Sequence, residues 1–380
     1  MEKQLEGKQY LLTGGYNQKN GGGICSWLWN REMEELALCC VEETCENPSY
    51  LALHPDRHII YAANEVEGAA KITAHRFCHD TGKIEFINAV TTRGADMCNL
   101  IINNSRTAVY GGNYTSGNIV AFQLKEDGSL GEEISNIQHQ GAGVHSRQEG
   151  PHVHQLLFDE DGSHLIAVDF GLDALFTYSL DEQGRILAET CVKSSLPSGE
   201  GPRHMVFQDR HYDQENEYYQ DSIYDQNNSY DQNNSYDQDN SYYLITELGN
   251  KVFHLNYNKD TGAFTCLDSL PLLDLQEIKA ENTGAEILIS PESGLIYTSV
   301  RGVDEIISVK TGQKEPQMEI SGRFKSFGRM PRMFSFSADG SYMFIANQQS
   351  GNVAVVRMCG EEGTLCRKIS VPDVSFVIQV

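Results

Sequence analysis

The stretch PHVHQLLFDEDGSHLIAVDFGLDALFTYSL, residues 151–180, reads as a short apolar strand, a turn, a second apolar strand ending on a polar residue, a glycine-containing turn and a third strand. The pattern recurs in PSYLALHPDRHIIYAANEVEGAAKITAHRF from Pro48 and in PRMFSFSADGSYMFIANQQSGNVAVVRM from Pro331. Weaker copies run through MCNLIINNSRTAVYGGNYTSGNIVAFQL after Asp96 and through GAEILISPESGLIYTSVRGVDEIISVK from Gly284. Another begins as PRHMVFQ at Pro202 and resumes at YYLITELGNKVFHLNYN.

Counting fixes the register. The second strand closes on Asn64, Asn113, Asp169, Thr246 and Asn347, with Val300 in the copy from Gly284. Six positions later each copy has an apolar or small residue: Ala70, Ile119, Leu175, Val252, Val353 and, after Val300, Ile306. A period of about fifty residues made of short alternating strands, without helical periodicity, is the mark of four-stranded propeller blades. A seventh blade is left to the N-terminal YLLTGG and GICSWLWN together with the C-terminal VPDVSFVIQV. The sequence therefore predicts an all-β chain forming a single seven-bladed β-propeller over residues 1–380, with four-stranded antiparallel blades. Residues near 371–380 are expected to pair with the strand around Tyr10 to Gly14, which closes the ring and removes exposed sheet edges. In the fifth blade from the N-terminus, residues 209–241 carry YDQNNS twice and YDQDNS once. Such a tract cannot bury enough apolar surface to offset its ordering, so a flexible surface insert is expected there.

Composition narrows the function. With 40% hydrophobic and 22% charged residues a sizeable core is expected, while a net charge of -24 argues against a nucleic-acid partner, whose phosphates call for clustered Lys and Arg. No run approaches the ~20 apolar residues that span a bilayer, so no membrane partner is expected. The N-terminus lacks a basic segment followed by an apolar core of ~7–15 residues. A cytoplasmic location is expected. The ten cysteines show no CxxC pairing and read as reduced thiols. The pairs His152/His154 and His75/His79 lack a third ligand at a metal-site spacing, and no glycine-rich fingerprint joins a strand to a helix. Neither a metal nor another cofactor is expected.

In a propeller, equivalent positions of successive blades form rings around the axis. The column at the start of the innermost strand holds Ser49, Cys98, His154, Arg203, Ala285 and Arg332, and the column just after the second strand holds Glu65, Tyr114, Phe170, Glu247, Arg301 and Gln348. Both map near the channel mouth. A histidine, carboxylates and three arginines then converge in a strongly acidic protein, residue types suited to proton transfer and to holding an anion. Arg332, Glu65, Gln348 and the neighbouring Asn347 are candidate substrate-binding residues. A purely structural reading makes His154 a turn cap, Arg203 and Arg332 ion pairs between blades, and Glu247 a partner for Arg301. His152, two residues before His154, is expected to project to the opposite strand face.

On GPRHMVF (201–207), TEL (246–248), H-x-x-x-F-D at His154, the RG of Arg301 and ANQ-x-S-x-x-V from Ala346, the sequence resembles the 6-phosphogluconolactonase and carboxymuconate-cyclising propeller family. The likeness covers nearly the full chain apart from the insert. It implies a metal-independent seven-bladed fold, and the active-site His, Arg, Glu and Arg of its muconate-cyclising members fall residue by residue on His154, Arg203, Glu247 and Arg301. Thr246 and Val300 replace the asparagine often found before the Glu and the Arg. The activity implied is hydrolysis of a small anionic lactone, 6-phosphogluconolactone first, feeding the oxidative pentose phosphate route. In that chemistry His154 or Glu247 serves as the base that activates water, and arginine meets the developing oxyanion. Two other readings stand beside it. One is an intramolecular lyase acting on a muconolactone; the other is a non-catalytic propeller scaffold, although the WD dipeptide of WD-type scaffolds is absent from the sequence.

Overall fold

A computed structural model of the chain describes residues 8–16, 23–54, 58–66, 68–208, 240–312 and 318–380. The strands form seven separate four-stranded antiparallel sheets. Six use four consecutive strands each, with innermost strands at Pro48–Leu53, Met97–Ile102, Val153–Phe158, Pro202–Phe207, Thr283–Ile289 and Pro331–Phe336. These are blades 2 to 7. Blade 1 is composite: the C-terminal strand Val374–Gln379 lies innermost, followed outward by Gln9–Gly15, Ile24–Asn30 and Glu35–Glu42. Its closing pair runs from Leu11 opposite Gln379 to Gly14 opposite Phe376. Tyr10 and Val380 exchange backbone hydrogen bonds of 2.9 and 2.8 Å at its end. The expected ring closure is thus present. Among the described residues no helix is long and apolar enough to cross a membrane.

The core is divided among the blade interfaces because strand alternation sends successive side chains to opposite faces of each sheet. Leu11 packs toward blade 7 with Phe344 and Val355, whereas its neighbours Tyr10 and Leu12 pack toward blade 2 with Ile60 and Phe77. Ala70, Ile119, Leu175, Val252, Ile306 and Val353, the column six positions after the second strand, are all fully or almost fully buried. The polar residues that close the second strands brace the connections between blades. Asn64 Nδ2 donates to Glu46 O and Asn347 Nδ2 to Ser326 O, while Asp169 Oδ1 accepts from the backbone of His152, Gly171 and Leu172. The tract at 209–239 lies outside the described residues; the strand after it begins at Ser241.

One feature of register sets the innermost column. In blade after blade the pairing of the innermost strand slips by a residue near its start, a β-bulge: Pro48 faces Asn64 but Tyr50 faces Ala63, and Pro202 faces Thr246 but His204 faces Ile245. The extra residue is Ser49, Cys98, His154, Arg203 and Arg332 in five blades, and Ser375 in blade 1. In blade 6 the irregularity lies between Gly284 and Ile287, which includes Ala285. The inner column read from the sequence is therefore a column of bulged residues. Bulges re-aim side chains, and here they occupy the position that forms the ring.

Candidate active site

His154 and Arg203 occupy bulges of adjacent blades, while Glu247 directly follows the second strand of blade 5 and Arg301 ends that of blade 6. All four are buried, and the fold brings them together. Arg203 Nη1 donates to Glu247 Oε2 at 2.6 Å and also bonds His154 Nε2. Arg301 Nη2 lies 2.8 Å from the same Oε2. Both arginines are held from behind by blade 6: Arg203 Nε donates to Ala285 O and Arg301 Nη2 to Gly284 O, each at 3.0 Å. Gly284 also donates its N–H to Glu247 O. A Cβ at Gly284 would fall 2.4 Å from Thr246 O, so only glycine lets this strand run so close to the segment carrying Glu247.

The electrostatics follow from that packing. Burial works against the Glu247 charge, but Arg301, Arg203 and Arg147 outweigh it and hold the carboxyl well below its usual range. Burial, Arg203 and His204 pull His154 well below the ordinary histidine value, so it is neutral at physiological pH. Because a guanidinium only donates, Nε2 of His154 is the acceptor in the bond to Arg203, and the single proton of the neutral ring sits on Nδ1. Burial brings Arg301 down to about 10 despite Glu247, still protonated at neutral pH.

A second cluster joins blades 1, 2 and 7. Arg332 Nη2 stands 3.9 Å from Glu65 Oε2, its Nη1 is 3.5 Å from Gln348 Oε1, and its guanidinium lies over the Tyr16 ring at 5.3 Å. Tyr16 O–H donates to Glu65 Oε2 at 2.6 Å. Arg332 is thus less tightly neutralised than Arg203 or Arg301. It is close enough to Glu247 and His154 to influence both electrostatically. Glu65, Gln348 and Arg332 therefore meet as a group, whereas the amide of Asn347 is committed to Ser326 O.

Two residues not chosen from the sequence belong to the first cluster. Arg147 Nη2 bonds Glu247 Oε1 at 2.6 Å and Tyr114 O–H at 3.3 Å, and its guanidinium lies over Phe170. It is delivered by the connection between blades 3 and 4, residues 139–152, pinned by buried Gln148, whose amide donates to Phe170 O. This connection is the longest between described consecutive strands of different blades, and that length was the available signal. Tyr114 packs its ring edge against His154. His152 does not bond the arginines: it stacks on Tyr114, and its Nδ1–H donates to Tyr114 O at 2.7 Å. His152 precedes the strand that starts at Val153, so its separation from the arginines comes from this turn rather than from strand alternation. Burial pushes the Cys98 thiol far up, which removes it as a thiolate nucleophile. Among the described residues no group of three or more His, Cys, Asp or Glu is arranged to hold a metal ion.

Residues 10–378 match the family described as lactonase, 7-bladed beta-propeller. The chain is 26% identical over 368 residues to a Bacillus subtilis protein named 6-phosphogluconolactonase, covering 97% of this chain and 96% of that one. It is 24% identical over 371 residues to a protein of the same name from Formosa agariphila, with coverage of 93% and 94%. The solved structure of the Pseudomonas aeruginosa periplasmic gluconolactonase shares its fold with a TM-score of 0.84 at 22% identity, over 98% and 99% of the two chains. With the match running through all seven blades, the chain belongs to the lactonase family of seven-bladed β-propellers.

Proposed function

We propose that this protein hydrolyses a sugar lactone, with 6-phosphogluconolactone as the preferred substrate. The observation that carries this reading is the charge of the site. Four guanidiniums, Arg147, Arg203, Arg301 and Arg332, are set against two carboxylates, Glu247 and Glu65, beside a neutral His154. Among these paired groups the excess is two positive charges, which suits a phosphate monoester carrying about −1.5 to −2 at neutral pH. The name of the Bacillus subtilis relative supports the same substrate.

His154 is the better base. Both groups are held below their ordinary range, but the carboxylate keeps Arg147 and Arg301 as partners, whereas the imidazole lone pair is released, and the opposition of Arg203 eased, once Arg203 turns toward substrate. Water attacks the lactone carbonyl carbon as His154 Nε2 takes its proton, and Arg203 with Arg301 donates to the carbonyl oxygen as it becomes an oxyanion. The tetrahedral adduct then expels the ring oxygen, which takes the proton back from Nε2. The product is a hydroxy acid, released as its carboxylate with one proton. Glu247 serves as the anchor that holds the arginines in place. A cytoplasmic location goes with this reading, beside the aldose oxidation that supplies such a lactone.

The test is a lactone panel at neutral pH, with freshly generated 6-phosphogluconolactone, an unphosphorylated gluconolactone and a muconolactone each compared with its spontaneous rate. Preferential acceleration of the phosphorylated sugar lactone supports the reading. Turnover of the muconolactone alone replaces it with the lyase, and no acceleration of any member replaces it with a binding scaffold.

A further inference from the structure

One residue beyond each bulge, the innermost strands of blades 3 and 4 carry an amide that braces the next blade's backbone. Asn99 Oδ1 accepts from Leu156 N at 2.9 Å, and Gln155 bonds both N and O of Met205. Blades 5 and 6 place His204 and Glu286 in this region instead, and these bond each other, Nδ1 to Oε1 at 2.8 Å. Both are buried, with 5% and 4% exposure. Two titratable side chains thus stand where an uncharged amide meets the bracing need in blades 3 and 4.

Their hydrogen-bond chemistry complements that of His154. A carboxylate accepts, so His204 carries a proton on Nδ1, and in the neutral ring Nε2 is then an acceptor; that buried Nε2 has no partner among the described residues. His154 has the opposite deficit. Its Nε2 accepts from Arg203, its proton is on Nδ1, and that buried Nδ1 is also unpartnered. The two imidazoles pack edge to face with centroids 5.1 Å apart. One donor without an acceptor and, in the neutral His204, one acceptor without a donor therefore sit on neighbouring buried rings, where leaving either unmade is costly.

We propose that Glu286 and His204 form a positioning pair behind His154, with His204 Nε2 accepting the His154 Nδ1–H during turnover. The inference rests on the lactonase reading above. When Nε2 of His154 takes the proton of the attacking water, the ring becomes an imidazolium whose Nδ1–H points its charge at His204, and Glu286 supplies the compensating negative charge through His204 Nδ1–H. No proton needs to leave the pair. When the ring oxygen departs, Nε2 returns its proton and His154 is neutral again. Arg203, Arg332 and a protonated His204 oppose the His154 imidazolium and Glu247 favours it, so the proposal requires His204 to be neutral when it accepts, with the Glu286 carboxylate behind it supplying the opposing charge.

The experiment compares His204→Phe, His204→Gln and Glu286→Gln with the wild type on 6-phosphogluconolactone. His204→Phe and Glu286→Gln are expected to lower kcat by about 10- to 100-fold, with KM within about 2-fold and the acidic limb of the kcat/KM profile displaced. His204→Gln, which keeps an acceptor and matches the amide of Gln155, should recover part of the loss. Folded variants with wild-type kcat and an unmoved pH profile overturn the proposal. If His204→Phe does not fold, Glu286→Gln decides alone, since it preserves the shape of the pair. A readout without substrate separates the two readings: ¹⁵N spectra of histidine-labelled protein should show the His154 proton on Nδ1 and a changed His154 titration in Glu286→Gln. An unchanged titration overturns the pair even in an active lactonase. A changed titration in a protein inactive on every lactone supports the pair and overturns the lactonase reading instead.

Discussion

Arg203 presents Nη1 to His154 Nε2, so the lone pair proposed as the base is covered by a guanidinium. The same nitrogen also bonds Glu247 Oε2 at 2.6 Å. In the proposed hydrolysis Arg203 is therefore the residue that exchanges partners when a substrate carbonyl arrives. The exchange uncovers the base and supplies an oxyanion donor in one movement.

Replacing Arg203 or Arg301 by Ala is expected to lower kcat/KM by about 10² or more, the scale of losing one oxyanion donor. Arg203→Lys should not restore the rate, because an ammonium lacks the planar fork that reaches Ala285 O while serving His154 and Glu247. Steady-state kinetics on the phosphorylated lactone check both statements. Near-normal kcat/KM in folded Arg203→Ala removes Arg203 from the chemistry.

Glu247→Gln should act on stability as well as rate. Three guanidiniums lie 2.6 to 2.8 Å from this buried carboxylate, and removing one side of a buried ion-pair cluster costs about 3 to 5 kcal/mol. Urea denaturation at neutral pH should show a clearly lowered midpoint, partly restored by inorganic phosphate, which offers the arginines a replacement anion. An unchanged midpoint contradicts the anchoring role.

The blades were legible because every copy keeps its apolar column six residues after the second strand, and Ala70, Leu175 and Val353 are buried as that spacing requires. The bulges were not. A one-residue slip leaves no mark on composition, yet it explains why Arg203 and His204, successive residues that alternation sends to opposite faces, both contact His154. His204 and Glu286 were missed for that reason. Arg147 was missed because it lies in a connection between blades, outside the repeating columns, and Tyr16 because blade 1 is split between the chain ends, which hid that Tyr16 follows Gly15 as Glu65 follows Asn64. Asn347 matched its column, but that column's task is bracing neighbouring backbone.

Arg332→Ala should discriminate between substrates. Its guanidinium is held only at 3.5 and 3.9 Å by Gln348 and Glu65, so it is the arginine most available to the phosphoryl group. KM for the phosphorylated lactone is expected to rise by about 10- to 100-fold, while kinetics on the unphosphorylated lactone change little. Equal losses on both substrates assign Arg332 to the shared lactone ring instead.

His75 gives the fold an acid sensitivity separate from the site. It is fully buried beside Phe86, neither ring nitrogen has a hydrogen-bond partner among the described residues, and burial lowers it from 6.5 to about 4. Between those values the unfolded chain binds a proton that the folded chain refuses. Stability therefore falls as pH drops from 6.5 toward 4, by up to about 3 kcal/mol from this group, with no further loss from it at lower pH. In His75→Leu, urea midpoints measured from pH 7 to pH 4 should decline less than in the wild type; parallel declines contradict the assignment.

The central claim is that His154 is the base of a lactone hydrolase, and the most direct measurement is the turnover of freshly generated 6-phosphogluconolactone by His154→Ala against the wild type and the spontaneous rate. The account predicts a folded variant whose kcat falls by about 10² to 10⁴ while KM stays near the wild-type value. A folded His154→Ala protein that hydrolyses this lactone at close to the wild-type rate would contradict it.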